Sequence, residues 1–283
     1  MQIQMIDNVD RNTISILAPI IERANDIRIA VAFVSRDGLS QIMPSVKIAM
    51  EAGAYVEFLV GMDPRATDPG AIRDLYTLFR QTPQGAILCF ASRNASAIYH
   101  PKMYLTRDNQ IATAIIGSSN LTRRGLTTNV EANVVITDDI NSEIVSEIYS
   151  TYSRLKYHPH RVIPDDEFIE LFANLCQREK LQENRLARDH DLRHLRETFV
   201  RKADKLQRPK PTRTDLIGWL GLVYDVLPPS RFTNQEIYEY EREFRQRYPQ
   251  NQNIRAKIRQ QLQVLRELGF IEHVSKGVWK KVS

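Results

Sequence analysis

The 283-residue sequence predicts an α/β domain over residues 1–157, a charged helical stretch over 158–211 and a small helix-and-hairpin unit over 212–283. Three observations carry this division. Apolar runs rich in β-branched residues alternate with segments of helical spacing through the first part. The pattern turns wholly helical from about Pro164 to Phe199. Two prolines in Gln207-Arg-Pro-Lys-Pro-Thr-Arg213 then interrupt it, as a boundary segment does.

In chain order, Asn12–Ala24 has helical spacing and precedes a first strand at Ile27–Val34. Helical spacing returns at Gly38–Ala52 and Ala71–Phe79, with strands at Tyr55–Val60, Ala86–Phe90, Ile111–Gly117 and Val130–Ile136. Strands that are apolar throughout and separated by helices point to a largely parallel sheet covered on both faces. Asp139–Tyr157 reads as a closing helix, with Asp139 at its N-cap and Ile140, Ile144, Ile148 and Tyr152 on one face.

The last unit begins with Leu216–Val226, apolar enough to be buried on most sides. Thr233 and Glu236 have capping-box spacing and open a helix to about Arg247, which Pro249 ends. Asn253 caps a third helix to Leu268, with Ile258, Leu262 and Leu265 inward and Arg255, Lys257, Arg259 and Gln260 outward. Gly269 stands where a helix C-cap glycine belongs. Phe270–Val274 and Val278–Val282 flank the charged turn Ser275-Lys276-Gly277 as a hairpin. Three helices and a hairpin make a winged helix-turn-helix, which lays its third helix in the major groove and its wing on the backbone. Trp219 reads as core; Trp279 either packs on the third helix or stacks on a base.

With 42% apolar and 26% charged residues, the chain is ordinary for a folded protein, and disorder, collagen and coiled coil are excluded. No apolar run approaches the ~20 residues that span a bilayer. The start, Met-Gln-Ile-Gln-Met-Ile-Asp, lacks a basic region followed by an apolar core, so the expected location is the cytoplasm, with no membrane partner. Cys89 and Cys176 form neither a disulfide framework nor a metal cluster. The net charge of +5 is uneven: 11 Lys/Arg stand against 6 Asp/Glu between 178 and 210, and 11 against 8 between 214 and 283. The second half is therefore suited to a polyanion. Whether the 178–210 run tracks phosphates or is a solvated helix face is open at this level.

The chemistry concentrates in Tyr99-His-Pro-Lys-Met-Tyr-Leu-Thr-Arg-Asp108 and Ile115-Ile-Gly-Ser-Ser-Asn-Leu-Thr122. Residues i and i+2 of a strand share a face, so His100 and Lys102 project together, a nucleophile or acid beside a fixed cation. Gly117 permits a turn after an apolar strand, and Ser118, Ser119 and Asn120 are short donors suited to phosphate oxygens. Glu131, eleven residues beyond Asn120, is expected to return beside His100 and fix its tautomer.

These residues resemble the signature of the phospholipase D superfamily, a His-x-Lys followed by a Gly-Ser-x-Asn-like loop. Over residues 1–155 the resemblance implies a phospholipase-D-like sheet-and-helix catalytic domain. It departs from the family where an aspartate is usual five residues after the lysine: here Arg107 stands there, and Asp108 follows. The resemblance implies cleavage without metal or other cofactor. One histidine forms a phosphohistidine and a second protonates the leaving group. Because the motif occurs once, it also implies a homodimer that brings two copies of His100 and Lys102 together. Lys102 and Asn120 would hold the phosphate, Ser118 or Ser119 would assist, and Glu131 would orient a histidine.

Within the superfamily the chain is most similar to BfiI-like metal-independent type II restriction endonucleases. Phe232–Tyr238 and Ile258–Ile271 are similar to the winged helix of DpnI-type enzymes. The implied function is site-specific cleavage of double-stranded DNA in a restriction system, with a methylation requirement and a cognate DNA methyltransferase left open. Arg123, Arg124, Arg255, Lys257, Arg259, Gln260 and Lys276 are the implied DNA contacts. Two other readings stand beside it: a DNA-binding regulator built on an inactive phospholipase-D-like dimer, and a lipid phosphodiesterase. No membrane-binding segment supports the latter.

Overall fold

The apolar runs of the first part become strands because both of their faces find helices to cover them. The computed structural model describes residues 1–91, 98–187, 218–249 and 251–282, together with 194, 198, 201, 212, 213 and 216. The chain divides into two units, Met1–Leu195 and Arg196–Ser283.

The first unit holds β1 (Gln2–Ile6), α1 (Thr13–Glu22), β2 (Asp26–Val31), α2 (Arg36–Glu51), β3 (Tyr55–Gly61), α3 (Pro69–Arg80) and β4 (Gly85–Phe90). It continues with β5 (Lys102–Asp108), β6 (Ile111–Gly117), α4 (Arg123–Thr127), β7 (Asn133–Asp139), α5 (Glu143–Lys156), β8 (Arg161–Val162) and α6 (Asp166–Ala187). The strands form one sheet in the order β1-β7-β6-β5-β2-β3-β4-β8. Only the β2–β3 and β3–β4 pairings are parallel; every other pairing is antiparallel. The expectation of a largely parallel sheet is therefore corrected to a mixed one. An apolar run reports that a strand is covered on both faces, not its direction, and β5-β6-β7 are joined by connections that return the chain beside itself.

One face of the sheet is packed by Ile16, Leu17 and Ile21 of α1, Leu39, Ile42 and Val46 of α2, Ile72 and Leu75 of α3, and Ile169 and Phe172 of α6. The other is covered by Ile148 and Tyr152 of α5 over Ala30, Leu59, Met103 and Leu105. Residues 158–180, expected within the linker, include β8 paired to β4 and α6 ion-paired to α3 through Arg73–Asp166 at 3.2 Å. The remainder of that stretch lies for the most part outside the described residues, including most of the Gln207–Arg213 boundary and of the charge run up to Lys210.

Two local expectations shift. The closing helix starts at Glu143, with Ser142 as N-cap, because Asp139 is still the last residue of β7. The strand expected at Val130–Ile136 runs instead over Asn133–Asp139, which leaves Glu131 in the approach to it. Among the described residues no helix is long and apolar enough to cross a membrane.

The second unit comprises α7 (Trp219–Asp225), β9 (Arg231–Thr233), α8 (Asn234–Tyr238), α9 (Glu241–Arg247), α10 (Ile254–Glu267), β10 (Ile271–Ser275) and β11 (Val278–Lys281). Both halves of the Thr233–Glu236 capping box form. The expected second helix is nonetheless two, broken at Glu239–Tyr240. The wing has three strands in the order β10-β11-β9, and Gly277 turns it at φ 72°. Ile254, Ile258, Leu262 and Leu265 enter the core together with Phe232, Phe244 and Trp279. Trp279 is resolved as core: it is buried, and its indole N–H donates to Asn234 Oδ1 at 2.7 Å.

Candidate functional site

The candidate site forms at one end of the sheet, where β5 begins, β6 ends and the approach to β7 passes by. Registers set this. Lys102 lies opposite Val31 of β2, and Gly117 lies opposite Asn133 of β7. The loop after β6 is drawn toward β2 by the bridge Val34–Leu121 and by Ser35 N–H donating to the Leu121 carbonyl at 3.0 Å. A Cβ on Gly117 would run into the Ala132 carbonyl and Asn133 Oδ1, so this close approach requires glycine.

Lys102 is buried although charged, at 6% exposure. Its ammonium faces both ring nitrogens of His100, 2.6 Å from Nδ1 and 2.9 Å from Nε2, and donates to the His100 carbonyl at 3.1 Å. The ammonium can donate to a ring nitrogen only where that nitrogen carries no proton, so the contact works against the imidazolium. Desolvation, with the Lys102 charge behind it, holds the His100 pKa below its usual value. Desolvation likewise lowers Lys102, opposed by the charge of Glu131. The Phe33 ring stands edge-on to His100, with centroids 5.6 Å apart.

Asn120 is oriented by a backbone group. Phe33 N–H donates to Asn120 Oδ1 at 3.1 Å, which identifies the oxygen and leaves the NH2 of the amide, without a protein partner among the described residues, as a donor. Ser118 and Glu131 do something other than expected. The Ser118 hydroxyl donates to a Glu131 carboxylate oxygen and accepts from Ala132 N–H at 2.9 Å, so its only proton is committed. The other Glu131 oxygen accepts from Asn129 Nδ2 at 3.2 Å. The described contacts of Glu131 thus do not include His100. The carboxylate meets the loop between β6 and β7 first, because it precedes β7 rather than lying in it.

Ser119 points away from the site. It is fully buried, its Oγ accepting from Asn133 Nδ2 at 2.9 Å and lying 3.2 Å from Thr13 Oγ1. Ser118 is exposed and Asn120 half-buried on either side of it, so of the three only Ser119 turns into the core. Sequence reasoning missed Thr13, Tyr104, Asn133 and Phe33. The signal for Asn133 is a polar residue opening an apolar strand, and for Tyr104 its place two residues beyond Lys102.

Arg123 and Arg124 open α4, exposed, just past the loop. In the second unit Arg255, Lys257, Arg259 and Gln260 do not form one outward set. Arg255 pairs with Glu241 at 2.7 Å and lies over the Tyr238 ring, while Arg259 donates to the Tyr238 hydroxyl at 3.0 Å. Lys257 donates to Gln260 Oε1 at 2.9 Å on a separate flank. Lys276 is exposed in the wing turn. A helix turns 100° per residue, which separates positions 255 and 259 from 257 and 260.

Residues 17–156 match the family model described as cardiolipin synthase, PLD-like domain, and residues 215–281 match the Dam-replacing HTH domain. Among solved structures the chain is similar to NucT from Helicobacter pylori, at 16% identity and a TM-score of 0.44, covering 58% of this chain and 99% of that one. It is similar to Nuc from Salmonella typhimurium, a phospholipase D family member, at 19% identity and a TM-score of 0.43, over 58% and 99% of the two chains. A third likeness is to phosphatidylserine synthase from Haemophilus influenzae, at 12% identity and a TM-score of 0.46, over 65% and 47%. On the two family matches, the chain carries a phospholipase-D-like domain of mixed sheet and helices in its N-terminal half and a winged-helix domain of the Dam-replacing kind at its C-terminus.

Proposed function

We propose that this protein is a site-specific endonuclease of a restriction system that hydrolyses DNA phosphodiester bonds without metal. The observation that carries the reading is His100 against buried Lys102, with the donor amide of Asn120 held on the backbone of Phe33, whose ring meets His100, in a chain that also holds a winged helix. An imidazole, a fixed cation and an oriented amide are what attack on phosphorus needs: a nucleophile and positive ends for the equatorial oxygens.

In this reading two protomers pair so that the His100 imidazoles face one phosphate. A ring nitrogen of one His100 forms a P–N bond as the P–O bond to the leaving strand breaks, and the leaving oxygen takes a proton from the partner's His100. That imidazole next removes a proton from water, whose oxygen attacks phosphorus and releases the first histidine. Lys102 and Asn120 hold the non-bridging oxygens. Glu131, carried by Ser118, adds negative charge that keeps Lys102 protonated, and Ser119 acts only through the backbone. Arg123 and Arg124 take DNA phosphates near the cut, and Arg255, Lys257, Arg259, Gln260 and Lys276 contact the duplex from the second unit.

The test is cleavage of methylated and unmethylated phage DNA in EDTA, with His100→Ala alongside. Discrete fragments in EDTA that disappear in the variant are expected, and the methylation contrast names the substrate. Cleavage only after magnesium is added overturns the mechanism. Intact DNA that the protein still binds tightly supports a regulator instead.

A further inference from the structure

The Ser119 peptide is held at every polar group it has. Its N–H donates to Asn133 Oδ1 at 3.2 Å, and its carbonyl accepts from the Tyr104 hydroxyl at 2.9 Å. Its Oγ accepts from Asn133 Nδ2 at 2.9 Å and approaches Thr13 Oγ1 to 3.2 Å. The directions are determined. The Thr13 hydroxyl donates to Asn8 Oδ1 at 3.1 Å, so the proton between Thr13 and Ser119 belongs to Ser119. The Tyr104 phenol stays protonated as a donor, because burial pushes its pKa far up. Thr13, Tyr104, Ser119 and Asn133 are all essentially excluded from water.

This is more than a core of satisfied polar groups, because of what lies on either side. Ser118 and Asn120 flank the held residue directly in the chain, so fixing the Ser119 peptide at its N–H and its carbonyl fixes the backbone from which both project. The same network reaches the N-terminal turn of α1, where Asn8 accepts from Thr13 N–H at 2.8 Å and donates to the Gly125 carbonyl at 2.9 Å beyond the loop. We propose that Thr13, Tyr104 and Asn133 are positioning residues that clamp Ser119 and thereby aim the Asn120 amide at the substrate phosphate. The inference rests on the reading of this loop as the phosphate-holding one. It adds which residues set the loop's geometry.

The test uses the full chain hydrolysing bis(4-nitrophenyl) phosphate in EDTA, with kcat, KM and thermal midpoint measured together. Tyr104→Phe and Thr13→Val keep side-chain volume; the first removes the bond to the Ser119 carbonyl, the second the hydroxyl that meets Asn8, Ser119 and Asn133. Each is expected to lower kcat about 10- to 100-fold, as a misaimed group does, with KM changed less than about twofold. Thr13→Ser, which restores the hydroxyl, is expected to recover kcat. The clamp is overturned if both variants keep wild-type kcat, or if Thr13→Ser falls as far as Thr13→Val. A wild-type rate no higher than that of His100→Ala overturns the phosphate reading itself, and the clamp with it; full activity in Tyr104→Phe and Thr13→Val overturns the clamp alone.

Discussion

The two units hold their polar side chains by opposite means. In the α/β unit the groups behind the site, Thr13, Lys102, Ser119 and Asn133, are buried and bonded to one another or to backbone. In the winged-helix unit the candidate contacts Arg255 and Arg259 are exposed and held by surface partners, Glu241 and Tyr238. A buried donor left without its partner costs about 1–3 kcal/mol, whereas an exposed ion pair contributes about 0–1 kcal/mol. The first arrangement keeps a geometry through a reaction. The second gives up its partners readily to a phosphate. Chemistry requires the one and binding to a polyanion tolerates the other.

That contrast breaks most directly at Asn133. Replacing it with Ala strands the buried Ser119 N–H and removes the amide that donates to Ser119 Oγ and Thr13 Oγ1, and a loss of about 2–3 kcal/mol in urea unfolding is expected. Arg255→Ala is expected to leave the unfolding midpoint where it was, while weakening duplex binding and lowering its salt dependence by about one phosphate contact. Equal stability losses in the two variants would erase the distinction. A second measurement sharpens the site side: NMR titration of His100. Because desolvation and the Lys102 charge disfavour the imidazolium, its midpoint is expected below the usual 6.5. The direction of the stability term follows. It is full above the unfolded value and declines as pH falls, since folding resists the proton. Lys102→Met is expected to raise the midpoint, and no movement would mean that the cation does not govern the imidazole. The smallest effect belongs to the surface. Glu241→Gln removes the carboxylate that occupies Arg255 and Arg245, so duplex affinity is expected to rise a few-fold at low salt, with no change at high salt.

Much of the architecture is legible because it depends on local pattern. The apolar runs from Ile27, Tyr55, Ala86 and Ile111 are strands, the Thr233–Glu236 capping box forms, and Gly269 takes a positive φ after α10. Strand β1 was not legible: Ile3 and Met5 alternate with glutamines, but they lie on an exposed edge and give a weak signal. The antiparallel direction of β5 and β6 is set by the two-residue turn Asn109–Gln110 between them, which apolar periodicity does not record.

The sequence by itself determined the chemistry available: one His-x-Lys pair, a Gly-Ser-Ser-Asn segment after a strand, one following glutamate, and a helix-and-hairpin module with basic outward positions; the expected shared strand face is corrected, since β5 begins at Lys102 and His100 precedes it. Tertiary structure decided how those groups are divided. It committed the Ser118 proton to Glu131, turned Ser119 into the core, freed the Asn120 NH2 by occupying its oxygen with Phe33 N–H, and set Lys102 against His100. The reason is that hydrogen bonds saturate. Each hydroxyl has one proton and each amide one oxygen, and which partner claims them depends on groups up to 120 residues away in the chain, as Asn133 and Thr13 are.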